Sequence, residues 1–149
     1  MNIISPSSAA DAAADGGLPA PVARRRLLRA SSVLLAAVAS SAVWLLARAA
    51  GTDFTLTAAG KSLTIILPMV TGFTLWFGGL GWAALALLER YTSAAAKTWT
   101  RLASGVLLLS FVPIFAEHAN TATRITLVLI HLTVATTLIL ALRHTTKNH

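Results

Sequence analysis

The sequence predicts an all-α integral membrane protein, an antiparallel four-helix bundle that follows a disordered N-terminal tail. Three observations predict this fold class. The segment from Ser62 to Leu88 contains no charged side chain, and roughly 20 apolar helical residues are enough to cross a bilayer. Three more apolar segments accompany it along the chain. Only 11% of the 149 residues are charged and 56% are hydrophobic, whereas soluble domains carry about 25% charged residues.

The chain divides into a tail and a membrane domain. Residues 1–23 are rich in Ala, Ser, Pro and Gly. They contain too little bulky apolar surface to offset the entropy lost on ordering, which predicts a disordered tail. Residues 24–149 form the predicted membrane domain, in which short loops make consecutive helices antiparallel neighbours. The predicted spans cover residues 27–47, 62–88, 102–116 and 125–142. The third span is one turn longer if residues 98–101 are helical and Arg101 extends its charge to the polar interface.

The first span has an alternative interpretation as an export signal. The stretch from Ala23 to Arg29 loosely resembles a twin-arginine signal, and Ala37-Val38-Ala39 would serve as a small-residue cleavage site. The apolar run continues past that site to Ala47, however, and three more spans follow. Because the apolar regions of signal peptides are short, we expect this segment to stay in the membrane.

The loop between the first two spans is compatible with two structures. Phe54, Leu56, Leu63 and Ile65 alternate with other residues on either side of a turn at Gly60. This alternation permits a small hairpin lying at the membrane surface. An ordinary irregular loop fits the same residues, and we favour the loop.

The second span carries a stripe of small residues. Gly72, Gly79, Ala83 and Ala86 fall close to one helical face, and small residues let a neighbouring backbone approach closely in lipid. We expect intramolecular helix packing here rather than a dimer seam, because three partner helices are tethered to this one. Pro68 is expected to kink this helix or to begin its regular part, because it lacks an N–H group.

Basic residues predict how the chain is threaded. Nine of the twelve Lys and Arg residues lie in the cluster that opens the first span, in the loop between spans two and three, or at the C-terminus. Cytoplasmic segments hold the excess of Lys and Arg, so we expect a protein of the cell membrane with both termini in the cytoplasm. These residues cluster at span ends, which argues against nucleic-acid binding despite the net charge of +7. The nine residues are Arg24, Arg25, Arg26, Arg29, Arg90, Lys97, Arg101, Arg143 and Lys147.

Ionisable groups at membrane depth are the first candidates for function. His131 lies clearly within a span. It is either a proton-linked or ligand-binding residue or, as we expect, a neutral imidazole hydrogen-bonded to a neighbouring helix. Glu117, His118 and Arg124 gather in the turn between spans three and four, where Glu117 and Arg124 are expected to pair weakly at the surface.

A metal or haem site on His118 and His131 fits the sequence poorly. His118 lies at the membrane boundary, whereas His131 lies about 10 Å deeper than the start of its span at 1.5 Å per residue. One nearby carboxylate does not complete a zinc site. The chain contains no cysteine and no phosphate-loop, dinucleotide, zincin or nucleophile-elbow motif. We therefore expect no cofactor, no metal and no enzymatic activity.

Three short motifs carry a family resemblance. They are Gly79–Arg90 (GLGWAALALLER) in the second span, Leu107–Pro113 (LLLSFVP) in the third and Leu129–Leu132 (LIHL) in the fourth. Residues 27–143 thereby resemble a family of small four-span bacterial membrane proteins classified as a domain of unknown function. The resemblance implies four spans, a surface-facing first loop and no assigned activity. It also makes three residues candidates for a shared role, namely His131, Glu89 and Arg90.

The sequence is compatible with two functions of different classes. The first is a non-enzymatic structural or accessory component of the cell envelope. Its partners would be the lipid bilayer and either another membrane protein or a second copy of the chain. The second is a small oligomeric transporter or channel that uses His131 and a second helix interrupted by glycines. We favour the first function, because no catalytic set of residues is visible and the second span carries a stripe of small residues suited to helix contacts. Four spans also leave little room for a pore within one chain.

Overall fold

Four long helices and a small sheet make up the part of the chain that the structure, a computed structural model, describes, residues 20–58 and 60–146. All four helices are long and apolar enough to cross a membrane. This confirms that the chain is built on four span-length helices. In order, the elements are α1 Ala20–Ala49, β1 Thr55–Ala58, β2 Lys61–Thr64, α2 Leu67–Tyr91, α3 Ala95–Ala116, β3 His118–Ala119 and α4 Thr121–Arg143.

The ends of the helices differ from the predicted spans. α1 begins at Ala20, within the stretch predicted to be a disordered tail, because proline is tolerated in a first helical turn and alanine is the best helix former. The rest of the predicted tail, residues 1–19, lies outside the described residues. α3 begins at Ala95, before its predicted start at residue 102, because Lys and Arg are good helix formers whose charges reach the polar interface from within a helix.

α2 begins at Leu67 with Pro68 in its first turn. Of the two roles expected of this proline, the start of the regular helix is the one confirmed. The predicted start at residue 62 is wrong, because residues 62–64 belong to strand β2. Proline favours a helix start because its missing N–H group is one of those that have no partner inside a helix. From Leu67 the helix runs without interruption through the glycine-rich stretch to Tyr91.

The prediction of an irregular loop between α1 and α2 is wrong, because β1 and β2 pair as an antiparallel hairpin. Gly60 adopts a positive φ of 76° in the turn, a conformation that glycine adopts without steric cost. β3 pairs with the other edge of β1 and places His118 opposite Thr57. This third strand explains the outcome, since an isolated two-stranded hairpin is only marginally stable in water. We call this end of the molecule the hairpin end.

Phe54 fastens the sheet to α1. Its side chain is fully buried and stacks on Trp44 with ring centroids 5.3 Å apart. Its backbone adopts a φ of +56°, which is uncommon for a residue other than glycine. The Phe54 carbonyl accepts from the Ile65 N–H, and the Ile65 carbonyl accepts from Trp44 Nε1. These contacts offset the cost of the backbone conformation.

The core lies toward the opposite end of the helices, which we call the terminal end. All four helices contribute to it, with Val33, Ala36, Leu85, Trp99, Leu138 and Leu142. Many large apolar side chains face outward instead, among them Leu46 at 72% exposure, Leu109 at 70% and Trp76 at 67%. Soluble monomers rarely expose large contiguous apolar patches. This outer surface is suited to lipid.

Candidate functional site

His131 lies near the middle of α4 and packs against α3. Its Nδ1 lies 2.7 Å from the backbone oxygen of Leu127. Because a carbonyl oxygen accepts, Nδ1 carries the proton, and the second ring nitrogen, Nε2, is the one that remains for other chemistry. The ring meets Phe111 edge-on, with centroids 6.5 Å apart. The prediction that His131 forms a hydrogen bond to a neighbouring helix is therefore wrong, because its partner lies one turn earlier in α4.

Arg124 makes contacts that differ from those predicted. Its Nη2 donates to the backbone oxygen of Glu117 at 3.3 Å, and its guanidinium lies 5.9 Å from the centre of the Phe115 ring. The predicted ion pair with the Glu117 carboxylate is not formed among the described residues. Glu117 has extended backbone and leads from α3 into β3, so its carbonyl meets Arg124. The structure buries Arg124 Nε without a hydrogen-bond partner in the described part.

His118 is held in the sheet, well separated in the fold from His131. It pairs with Thr57 through the backbone and its side chain is exposed. Among residues 20–58 and 60–146, no group of three His, Asp or Glu residues is close enough to hold a metal ion. The four predicted polar candidates therefore occupy two places, with Glu117, His118 and Arg124 at the hairpin end and His131 inside α4.

Asp53 organises a hydrogen-bond network at the hairpin end that the sequence did not indicate. Its Oδ1 accepts from Asn120 Nδ2 at 2.9 Å and from Thr123 Oγ1 at 3.3 Å. Asn120 is also the N-cap of α4, since its Oδ1 accepts from the Thr123 N–H at 2.7 Å. Asp53 thereby connects the α1–β1 loop to the first turn of α4. The side-chain oxygen of the N-cap residue Asn120 satisfies one of the N–H groups that have no partner at the start of a helix.

Replacing Asn120 with alanine is expected to lower the free energy of unfolding by about 1 kcal/mol, because the cap of α4 is lost. Asp53 also loses one of its donors. The measurement is a denaturant titration of the purified protein in detergent micelles, followed by circular dichroism. Thr121→Ala is the matched control, because Thr121 is exposed and makes no side-chain hydrogen bond among the described residues. Equal effects of the two substitutions would contradict the capping role.

The stripe of Gly72, Gly79, Ala83 and Ala86 does not face the other helices of the chain. A Cβ atom added at Gly72 or Gly79 would meet nothing within 4 Å, and Ala83 and Ala86 are exposed. The expected intramolecular contact is therefore wrong, and packing against a partner helix stays a prediction. The physical reason is rotation, since adjacent helical residues differ by about 100° in direction.

Two other glycines of α2 allow the close helix contacts. A Cβ atom at Gly78 would lie 2.8 Å from Val33 Cγ1 of α1. A Cβ atom at Gly81 would lie 2.9 Å from the Trp99 ring of α3. Both distances are shorter than van der Waals contact, so a side chain at either position requires its neighbour to shift. α2 thus has one glycine at its contact with α1 and another at its contact with α3.

Hydroxyl groups join α1 to α2 in the half of these helices that is nearer the hairpin end. Ser40 Oγ lies 3.1 Å from Thr74 Oγ1, and Ser41 Oγ lies 2.9 Å from Thr71 Oγ1. Ser40 is completely buried and Thr74 nearly so. Hydrogen bonds between helices hold membrane proteins together in place of the hydrophobic effect. None of these four residues was predicted from the sequence to be a contact, although Ser40-Ser41 is a polar pair inside an apolar segment.

A buried ion pair closes the terminal end of the molecule. Arg29 Nη2 lies 2.6 Å from Glu89 Oε1, and the two side chains are 4% and 12% exposed. Arg29 also donates through Nε to Thr145 Oγ1 at 2.9 Å and through Nη2 to the Thr145 carbonyl at 3.1 Å. One guanidinium thereby joins α1, α2 and the segment after α4. A charge-assisted contact of this kind is strong when both partners are present.

His131, Glu89 and Arg90 were candidates for a shared role, but the structure does not bring them together in one site. Glu89 is committed to Arg29, and Arg90 is exposed. His131 is twelve residues from the end of α4, or roughly 18 Å at 1.5 Å per residue. Arg29 was assigned from the sequence to the basic cluster that opens the first span, and no partner was predicted for it. Glu89 was the available signal, because an acidic residue at the end of a long apolar helix needs a partner.

Comparison with known proteins places the chain in a family. A family of unknown function, DUF6069, matches residues 20–148, from the first residue of α1 to beyond the end of α4. No curated protein and no solved structure matches the chain. The match covers all four span-length helices, the hairpin and the Arg29–Glu89 pair. This chain therefore belongs to the family of unknown function DUF6069.

Proposed function

We propose that this protein is a non-enzymatic structural or accessory component of the cell envelope, embedded in the cell membrane. The proposal rests on the contacts of the polar side chains, which are made with other groups of the same chain. Arg29 pairs with Glu89, Ser40 bonds Thr74, and His131 bonds its own helix. These groups hold the chain together. The outward helix faces are largely apolar, which suits contact with lipid and with the helices of a partner.

The proposed arrangement in the membrane is an antiparallel bundle with both termini in the cytoplasm. Contacts between α1 and α2 support it, because Ser40 meets Thr74, Val33 meets Gly78, and Arg29 meets Glu89. Residue numbers fall along α1 as they rise along α2. Of the Lys and Arg residues that the structure describes, Arg48, Lys61 and Arg124 lie at the hairpin end. The other eight lie at the terminal end, namely Arg24, Arg25, Arg26, Arg29, Arg90, Lys97, Arg101 and Arg143. That excess favours a cytoplasmic terminal end.

Two observations favour this role over transport. α2 is continuous from Leu67 to Tyr91, so the glycines do not supply the broken helix on which the transport hypothesis relied. His131 packs on Phe111. It lines neither the groove beside Pro68 and Trp76 nor the groove beside Lys97 and Arg143. We expect reconstituted vesicles to show the same ion flux with the protein, with His131→Ala and without protein. Flux that depends on the protein and is lost in His131→Ala would favour the transporter.

In-cell photocrosslinking tests the accessory role. A photoreactive residue is placed at one outward apolar position in each helix, at Leu35, Phe73, Leu109 and Leu129, which are 58%, 59%, 70% and 49% exposed. We expect at least one position to form a discrete adduct with another membrane protein or a second copy. Leu85, which is fully buried in the core, is the matched control and should form none. If no adduct with another protein or a second copy forms at any of the four outward positions, the result would contradict the proposal.

A further inference from the structure

A basic groove lies between α3 and α4 at the terminal end. It has a volume of about 360 Å³ and is lined by Ala96, Lys97, Thr100, Arg101 and Arg143. Lys97 and Arg101 are one helical turn apart, so they lie on the same face of α3. Arg143 approaches from the last turn of α4. Three cationic side chains therefore converge on one groove between two span-length helices.

The three cations of the groove carry no compensating charge in the structure. Lys97, Arg101 and Arg143 are exposed, and none of them forms an ion pair within the part of the chain that the structure describes. Arg29, by contrast, is fully engaged by Glu89 and Thr145. The Thr100 hydroxyl already donates to the Ala96 carbonyl at 2.9 Å. Recognition by this groove would therefore depend on the three positive charges.

An apolar surface continues from the groove toward the middle of the helices. Gly105 is one turn beyond Arg101, and a Cβ atom added there would meet nothing within 4 Å. Leu108 of α3 is 67% exposed and Leu140 of α4 is 49% exposed. Leu108 lies roughly 10 Å further along the helix than Arg101 at 1.5 Å per residue. A molecule with an anionic head and hydrocarbon chains matches this order of surfaces.

We infer that Lys97, Arg101 and Arg143 form a binding site for the phosphodiester headgroup of an anionic phospholipid, whose acyl chains lie along Gly105, Leu108 and Leu140. The inference rests on the proposed insertion of the four helices in a membrane. Basic pockets between helices on the cytoplasmic side of a membrane bind anionic headgroups. The site goes beyond general attraction to a charged surface, because the cations share one groove with an apolar track beneath it.

Native mass spectrometry of the purified protein in detergent tests the site. Phosphatidylglycerol and phosphatidylcholine with identical acyl chains are the two probes. We expect wild type to retain one molecule of phosphatidylglycerol in preference to phosphatidylcholine. In the triple variant Lys97→Gln/Arg101→Gln/Arg143→Gln, the apparent affinity for phosphatidylglycerol should fall by about 100-fold, at roughly fivefold for each cation. The charge-preserving variant Lys97→Arg/Arg101→Lys/Arg143→Lys should retain the preference.

Arg24→Gln/Arg25→Gln/Arg26→Gln is the matched control, because it removes three charges from the terminal end outside the groove. Equal losses in the two Gln variants, or equal retention of the two lipids by wild type, would overturn the site. Displacement of the lipid by excess inorganic phosphate would also overturn it, because the groove would then recognise phosphate alone. Membrane extraction is measured on every variant. A chain that leaves the membrane without detergent contradicts insertion itself, whereas an embedded chain without lipid preference contradicts only this site.

Discussion

Replacing Glu89 with alanine is expected to lower the free energy of unfolding by about 3 kcal/mol, more than is expected for Asn120→Ala or Gly78→Ala. The pair with Arg29 is nearly dry, with side chains 4% and 12% exposed. Removing one partner of a buried ion pair leaves an uncompensated buried charge, which costs roughly 3–5 kcal/mol. The lower figure applies here, because Thr145 still offers Arg29 two oxygen atoms. The measurement is the same denaturant titration in micelles that tests Asn120.

Two further variants separate the ion pair from its surroundings. Arg90→Ala is the matched control, because Arg90 is the next residue of α2 and is exposed; we expect a change below about 0.5 kcal/mol. The double substitution Arg29→Met/Glu89→Leu should recover most of the stability, because apolar residues of similar volume can replace a buried pair. If Glu89→Ala and Arg90→Ala have the same effect, the pair does not stabilise the terminal end.

Gly78→Ala is expected to lower the free energy of unfolding by about 2 kcal/mol. The added Cβ atom would lie 2.8 Å from Val33 Cγ1, and valine is stiff because both its methyl groups branch from Cβ. α1 and α2 must therefore separate, and overpacking of this kind typically costs about 1–3 kcal/mol. The stability of the variant in micelles, measured by denaturant titration, checks the result.

Gly79→Ala provides the comparison for Gly78, since it makes the same chemical change one residue later in the same helix. Nothing lies within 4 Å of its added Cβ atom, and alanine is a better helix former than glycine by about 1 kcal/mol. We expect Gly79→Ala to leave the monomer as stable as wild type or more stable. Val33→Ala should restore part of the stability lost in Gly78→Ala, because it removes the methyl group that clashes. Failure of this rescue would show that Gly78 matters for another reason.

Length and hydropathy were sufficient to predict the four helices. Segments without charge, such as residues 62–88, leave few alternatives in a chain of this composition. The helix ends were harder to predict. Lys97 was treated as a loop residue and a helical extension over residues 98–101 was only an alternative, although Lys and Arg are good helix formers. At Pro68 the chemistry of one residue fixed the start of α2, and that prediction was confirmed.

Long-range pairing explains most of what the sequence left open. The hairpin gains its third strand from His118 and Ala119, more than fifty residues away. The alternating pattern of the first loop does not predict this pairing. Arg29 and Glu89 are separated by sixty residues, so each resembled an ordinary charge at the end of a span. The face that α2 turns toward α1 depends on the rotation of the helix about its axis. Gly78 and Gly79 are adjacent in sequence, so a rotation of about 100° determines which of them contacts α1.

Thiol labelling of intact cells tests the threading of the four helices most directly. The chain contains no cysteine, so a single introduced thiol reports one position. Ser62→Cys marks the hairpin end and Ser93→Cys marks the turn between α2 and α3, and both positions are exposed. With a thiol reagent that does not cross membranes, we expect Ser62→Cys to be labelled in intact cells and Ser93→Cys to be labelled only after permeabilisation. The opposite pattern would reverse the orientation, and labelling of both positions in intact cells would contradict a chain that places its two ends on opposite sides of a membrane.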